Sequence, residues 1–187
     1  MGPSAVRLAG LHDALAAAGF DDVEDLGDLD VPAVETLQMV DPKAKHLPAI
    51  AATCKKLATT VRRTLAKGRV PVTIGGDHSV AVGSISAVAA HFRRAKKKLG
   101  VVWVDAHADM NTPATTVSGN VHGMPLSAVL GMGAPALTQI EGRFAKVEAD
   151  RVALVGVRDL DLAEMDTMHK SGVHVFTMKE IAERGIA

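Results

Sequence analysis

Three side chains that commonly bind metal ions fall within five consecutive residues, at Asp105, His107 and Asp109. They follow the apolar run 101–104, so continued strand alternation would project all three to one side. Carboxylate and imidazole ligands without a thiolate suit Mn²⁺, Zn²⁺ or Fe²⁺, and the oxygen-rich balance favours Mn²⁺. A carboxylate that bridges two such ions makes a hydrolytic site. The alternative is helix capping by Asp105 or Asp109 beside an incidental histidine.

His78 is a further candidate ligand, in the segment Gly75-Gly76-Asp77-His78-Ser79. Two glycines followed by an aspartate are ordinary turn residues, and Ser79 could simply cap the next helix. The glycines also allow close approach of the backbone and present His78 just after an apolar run. We therefore expect His78 to lie beside the Asp105 cluster.

The segment from Asn111 to Gly123 is a long polar loop rich in neutral hydrogen-bonding side chains. Loops of this length in a compact domain are often functional, and such side chains suit a small zwitterion better than a polyanion. Its titratable group, His122, could transfer protons near neutral pH. The alternative is an ordinary solvated loop. Asp159 and Asp161 follow a later apolar run and are further candidates.

The elements that must position these residues are predicted as alternating helices and strands. Apolar strands in alternation with helices favour an α/β fold, a parallel sheet covered on both faces in three α/β/α layers. Ligands of such sheets bind beyond the carboxyl ends of the strands, where the candidate residues fall. Strands are predicted over 70–74, 101–104, 152–157 and 173–176, and helices over 4–18, 43–67, 79–97, 125–130, 162–170 and 178–184.

Composition narrows the range of partners and compartments. The 187 residues contain 21 Lys and Arg and 21 Asp and Glu, so no net charge attracts nucleic acid or an anionic membrane. No apolar run approaches the roughly 18 residues of a membrane helix. The single cysteine, Cys54, suits a reducing cytoplasm and is predicted to be a buried structural residue.

The order and spacing of GGDHS, VDAHADMNTP and SGNVHGMP resemble the arginase branch of the ureohydrolase family. The likeness extends from Gly2 to Asp161, and Asn111 with the TTVSGN segment favours arginase over agmatinase. The resemblance implies an arginase-like α/β fold with two Mn²⁺ ions in the complete site. His78, Asp105 and Asp109 would bind one ion, and Asp105 and His107 the other, with Asp105 as the bridge.

The resemblance also implies a reaction and roles for the loop residues. A metal-bridging hydroxide oriented by Asp109 would attack the guanidinium carbon of L-arginine, giving L-ornithine and urea, with His122 as proton shuttle. In the polar loop, Asn111, Ser118 and Asn120 would recognise the α-carboxylate of the substrate. Two acidic residues, Asp161 and Glu164, would recognise its α-amino group.

Family members carry a later Asp-x-Asp pair of metal ligands, and no such pair follows Phe176. Residues 1–187 are therefore expected to form a single, incomplete arginase-like domain, clipped at both ends, with little or no activity alone. The complete protein is expected to be a homo-oligomer, a trimer or hexamer. The alternatives are an agmatinase or other guanidino-substrate ureohydrolase, and a non-catalytic metal-binding fragment.

Overall fold

A computed structural model of the protein describes residues 2–185. The helices in chain order are α1 Gly2–Leu8, α2 Leu11–Ala17, α3 Leu47–Ala66, α4 Val80–Arg94, α5 Pro125–Val129, α6 Pro135–Thr138, α7 Leu162–Ser171 and α8 Met178–Arg184. The strands are β1 Val101–Val104, β2 Val152–Val157 and β3 His174–Thr177, and short 3-10 turns occupy Val34–Thr36, Val121–Gly123 and Ala149–Arg151.

The three strands form one parallel sheet in the order β1-β2-β3. Trp103 pairs with Leu154, which in turn pairs with Val175, so these residues project from the same face. Trp103 and Leu154 are buried there together with Met110 and Leu126. The predicted parallel α/β fold is confirmed.

The opposite face of the sheet is less covered than the pattern of apolar strands predicts. Val102 is 70% exposed, Val104 is 73% exposed and Phe176 is 50% exposed. Within residues 2–185, therefore, helices bury one face of the sheet and leave much apolar surface on the other.

Helices α3 and α4 pack against each other through small residues. A Cβ atom on Gly83 would lie only 2.5 Å from the backbone oxygen of Cys54, so only glycine allows this approach. Cys54 is buried, as predicted, and its Sγ donates to the Ser79 carbonyl. Helix α4 also contributes to both buried clusters, through Val82 to one and Ile85 to the other. It therefore joins α3 to the sheet.

The predicted helix over 4–18 is wrong, because the chain forms two short helices with a break at Gly10. Gly10 adopts a left-handed conformation with φ of 86°, which ends one helix and precedes the next. Neither helix buries a residue, and Leu8 is 90% exposed. The leucine spacing therefore indicated helical structure correctly, but neither helix has a buried face.

The predicted strand over 70–74 is also wrong for the described structure. The segment pairs with no strand among residues 2–185, and Val70 and Val72 are largely exposed. It runs past β1 across a cavity of about 420 Å³ lined by Pro71, Thr73 and the β1 residues. A strand needs a hydrogen-bonded neighbour, and the cavity separates this segment from β1.

Several predicted boundaries shift by a few residues for local reasons. Helix α3 begins at Leu47, later than predicted, because His46 takes a left-handed conformation with φ of 55°. Helix α4 ends at Arg94, where Lys96 has φ of 55°. None of the helices within residues 2–185 combines the length and apolar composition that crossing a membrane requires.

Candidate metal centre

The candidate metal centre lies where the turn before α4 meets the end of β1. His78 follows the turn at Gly75, which packs against Val80 so closely that a Cβ atom would lie 2.7 Å from its side chain. Asp105 follows β1 directly, and its backbone N–H donates to the Val155 carbonyl of β2. Asp109 is brought back toward both by a left-handed conformation, with φ of 52°.

His78, Asp105 and Asp109 converge so that one atom of each lies within 4.8 Å of the others. The Nδ1 atom of His78 is 2.8 Å from Asp105 Oδ2 and 2.8 Å from Asp109 Oδ2. A single N–H cannot satisfy two carboxylates, and Asp109 Oδ2 is buried without a well-formed hydrogen bond among the described residues. A cation between the three atoms would satisfy them all, so the residues fit a metal ion.

The electrostatics of the cluster agree with a shared positive charge. The carboxylate of Asp109 raises the pKa of His78, against the opposing effect of burial, and Asp105 adds to the rise. Burial alone would raise the pKa of Asp105. The backbone N–H of His107 and the charge of His78 outweigh that effect, and the pKa of Asp105 lies below its usual value.

His107 lies outside this trio and faces the other side of Asp105. Its Nδ1 is 3.3 Å from Asp105 Oδ1, whereas His78 faces Oδ2 of the same carboxylate. The other ring nitrogen of His107 is 3.5 Å from Asp159 Oδ2. Strand alternation did not arrange these residues, because β1 ends at Val104 and the following segment turns. The part played by His107 in binding a second ion stays a prediction.

The imidazole of His78 stacks on the indole of Trp103. The ring centroids are 4.2 Å apart and the planes meet at 23°. Trp103 belongs to β1 and is only 3% exposed. The local sequence predicts only a strand at Trp103, because nothing in it indicates which ring the indole contacts.

Helix α7 is tied to the segment that follows Asp109. Asp161 accepts from the backbone of Glu164 as the N-cap of α7, and from the Asn111 side chain at 2.8 Å. The buried carboxylate of Glu164 accepts from the Met110 backbone N–H at 3.0 Å. The structure therefore brings together Asn111, Asp161 and Glu164.

The remaining predicted residues lie farther along the polar loop. Ser118 is exposed, and its hydroxyl accepts from the Asn120 backbone. His122 is exposed on the turn Val121–Gly123. Their roles with a substrate stay predictions.

The residues before α3 hold the polar loop in place through contacts that the sequence did not predict. Lys43 Nζ donates to the Thr116 carbonyl at 2.9 Å, and Lys45 N donates to the Gly119 carbonyl at 2.9 Å. Gly119 has φ of 73°, and a Cβ atom there would lie 1.7 Å from the Pro42 carbonyl. These partners are distant in sequence, so no local pattern indicates them.

The sequence is similar to those of bacterial arginases over its whole length. It is 44% identical to an arginase of Bacillus caldovelox over 187 residues, which is 100% of this chain and 61% of that protein. It is 40% identical over 186 residues to an arginase of Bacillus subtilis strain 168, again 100% of this chain and 60% of the relative. The chain thus spans about 60% of the length of these relatives.

Solved structures show the same likeness in three dimensions. The native Bacillus caldovelox arginase at pH 5.6 superposes with a TM-score of 0.92 at 44% identity, covering 99% of this chain and 60% of that structure. A Bacillus cereus arginase gives 0.90 at 40% identity, with 99% and 60% covered. A formimidoylglutamase of Bacillus subtilis gives 0.60 at 24% identity, with 87% and 42% covered, and shows the fold alone.

The model of the Arginase family matches residues 1–187. Together with the converging His78, Asp105 and Asp109 and the similarity to bacterial arginases, this match shows that the chain belongs to the Arginase family.

Proposed function

We propose that the protein is an arginase-type ureohydrolase, which hydrolyses L-arginine to L-ornithine and urea with manganese. The observation that carries the proposal is the convergence of His78, Asp105 and Asp109 around the unsatisfied Asp109 Oδ2. The chain spans about 60% of the length of its relatives, so we propose this activity and substrate for the whole protein. We also propose that the whole protein is a homo-oligomer, either a trimer or a hexamer.

Two manganese ions would share the Asp105 carboxylate. His78, Asp105 and Asp109 would hold one ion, and Asp105 with His107 the other. The two sides of Asp105 that face His78 and His107 support this bridging role. Four protein side chains are few for two ions, so we expect the second ion to bind residues 1–187 weakly, with little turnover.

When bound, the two ions would supply an activated water and stabilise the charge that develops during hydrolysis. Asp109 would orient that water, since its Oδ2 is buried and points into the cluster. His122 would carry a proton between this centre and solvent, which its exposed position on a turn allows.

The polar loop and the start of α7 would bind the α-carbon end of arginine. Asn111, Ser118 and Asn120 would bind the α-carboxylate through neutral donors. Asp161 and Glu164 would bind the α-amino group, directly or through water. The hydrogen bonds that join Asn111 to Asp161 and Met110 to Glu164 support one recognition site.

Residues 1–187 form a single domain, supported by the share of α4 in both buried clusters. The protein works in the cytoplasm, in keeping with a lone buried cysteine.

Manganese binding tests the site directly. We expect the purified chain to bind Mn²⁺, measured by electron paramagnetic resonance of the free ion. Asp109→Asn should weaken the binding at least about tenfold, because it removes a ligand charge. The matched control is Asp13→Asn, which removes an exposed carboxylate on α2. Equal affinity in all three proteins would contradict the proposed site.

Substrate competition tests the reaction. In the whole protein we expect urea release from arginine, lost in Asp109→Asn, with agmatine a poor substrate, whereas residues 1–187 alone should release little or none. Turnover of agmatine with arginine inert would favour an agmatinase. Tight manganese binding by the whole protein without turnover of either substrate would favour a non-catalytic metal-binding protein.

A further inference from the structure

The ring of His78 must be held in one orientation if its Nδ1 is to face the two carboxylates. A histidine that binds a metal usually donates its other ring N–H to a carboxylate or carbonyl, which fixes the ring. Among residues 2–185, the hydrogen bond found for the His78 ring is at Nδ1, and Nε2 makes none. Among these residues, a contact other than a hydrogen bond at Nε2 must hold the ring.

Trp103 supplies that contact. Its indole lies nearly parallel to the imidazole at 4.2 Å, a separation at which stacked rings attract each other. Trp103 is buried in the cluster that includes Leu126, Leu154 and Val152, so its ring cannot move away. A rigid indole on one side of His78 limits the rotation of the imidazole plane.

The stack and the hydrogen bonds constrain different motions of His78. The carboxylates of Asp105 and Asp109 approach Nδ1, and a metal ion would bind the same atom. Those contacts would therefore be exchanged for metal coordination. The face of the ring is not involved in that exchange, and the contact with Trp103 would persist.

We propose that Trp103 is a positioning residue of the metal centre, which holds the His78 imidazole in its ligand orientation by stacking before any ion binds. The inference rests on the proposed metal site. The stack on Trp103 reduces the loss of side-chain freedom when His78 binds a metal. Removal of the indole should therefore weaken metal binding without removing a ligand.

The first measurement is made on the metal-free chain. Ring protons of a histidine stacked on an indole are displaced upfield in NMR spectra, and His78→Ala identifies the His78 signals. We compare Trp103→Phe, which keeps an aromatic face, with Trp103→Leu, which does not. The His78 signals should stay displaced in part with Phe and return to ordinary positions with Leu. Unchanged signals in Trp103→Leu would overturn the proposal.

The second measurement is the manganese affinity of the same proteins. Trp103→Phe should bind within about threefold of the wild type, and Trp103→Leu about tenfold more weakly, the usual loss when a supporting contact of a ligand is removed. Val152→Ala controls for destabilisation, because Val152 lies in the same buried cluster as Trp103 but outside the stack. Equal weakening in Val152→Ala and Trp103→Leu would overturn the positioning role.

The two measurements separate this inference from the proposed function. A wild-type chain that binds no manganese would contradict the proposed site, while the NMR comparison would still decide whether Trp103 orients His78. If Trp103→Leu binds manganese as tightly as the wild-type chain, the result would contradict this inference but not the proposed function.

Discussion

Glu164, like Asp109, is an acidic residue buried near the site, with 5% of its surface exposed. Burial raises the pKa of its carboxyl group, and the Met110 N–H that it accepts only partly opposes this. The side chain is thus needed as an acceptor for a backbone N–H, while its charge is a cost in the metal-free protein.

In the metal-free chain, we expect Glu164→Gln and Glu164→Ala to change the free energy of unfolding in opposite directions. Glutamine keeps the acceptor and removes the buried charge, so stability at pH 7 should equal or exceed that of the wild type. Alanine leaves the Met110 N–H unpaired, which costs about 1–3 kcal/mol. Urea denaturation in a chelator measures both variants.

The pH dependence of this difference has a defined sign. A carboxyl group with a raised folded-state pKa is more protonated in the folded chain than in the unfolded chain above pH 4.5. Wild-type stability should therefore fall relative to Glu164→Gln as pH rises from 4.5 through the folded-state pKa. Parallel stability curves would show that the Glu164 charge carries no cost.

Lys146 is another buried charged residue, away from the site. Its ammonium group donates to the Gly142 and Phe144 carbonyls and lies 4.0 Å from the Phe144 ring centroid. Burial lowers its pKa to about 8, although Glu141 opposes the change.

The unfolding free energy of the wild type should rise relative to Lys146→Met between pH 8 and 10.5. In that window the unfolded chain binds the proton and the folded chain does not, so stability increases with pH, by at most about 3 kcal/mol. Denaturant titrations at several pH values measure the difference. A constant gap between the two proteins would contradict the lowered pKa.

At the scale of elements, the polar loop depends on the segment before α3. The Lys45 N–H bonds to the Gly119 carbonyl, and Gly119 itself packs against Pro42 with no room for a side chain. The segment 42–45 therefore sets the shape of the loop that carries Ser118 and Asn120.

Gly119→Ala should destabilise the chain more than Gly68→Ala does. Both glycines have similar positive φ, 73° and 72°, so both variants carry a left-handed backbone cost of about 1–2 kcal/mol. Only Gly119→Ala adds a clash with Pro42, because nothing lies within 4 Å at Gly68, and overpacking adds about 1–3 kcal/mol. Equal losses in thermal or urea unfolding would contradict the close packing of the loop.

At the scale of the whole molecule, the exposed apolar face of the sheet is the main feature that the fold leaves open. Val102 and Val104 project from this face of the edge strand β1, beside the unpaired segment 70–74. Exposed strand edges and apolar patches favour association between chains.

We expect the purified chain to self-associate with rising concentration, measured by sedimentation velocity. Replacing Val102 and Val104 by threonine should reduce the association, because threonine keeps strand propensity and removes apolar surface. Leu162→Thr is the matched control, since Leu162 is 84% exposed on α7, outside the sheet. A wild-type chain that stays monomeric throughout would contradict this expectation.

The amino-acid sequence by itself determined the parallel α/β fold, the strands 101–104 and 152–157, and the convergence of His78 with Asp105 and Asp109. The strands follow from local patterns, because these apolar runs mark strands, and the end of β1 places Asp105 and Asp109 at the sheet edge. His78 was expected beside them, although the segment 70–74 before it pairs with no strand among residues 2–185. The spacing of the motifs also sufficed to indicate the family.

Only the tertiary structure decided which contacts hold these residues in place. The unpaired segment 70–74 and the left-handed Asp109 depend on what each part of the chain packs against. The stack of Trp103 on His78 joins residues far apart in sequence. Such contacts depend on the path of the chain in space, which local residue patterns do not encode.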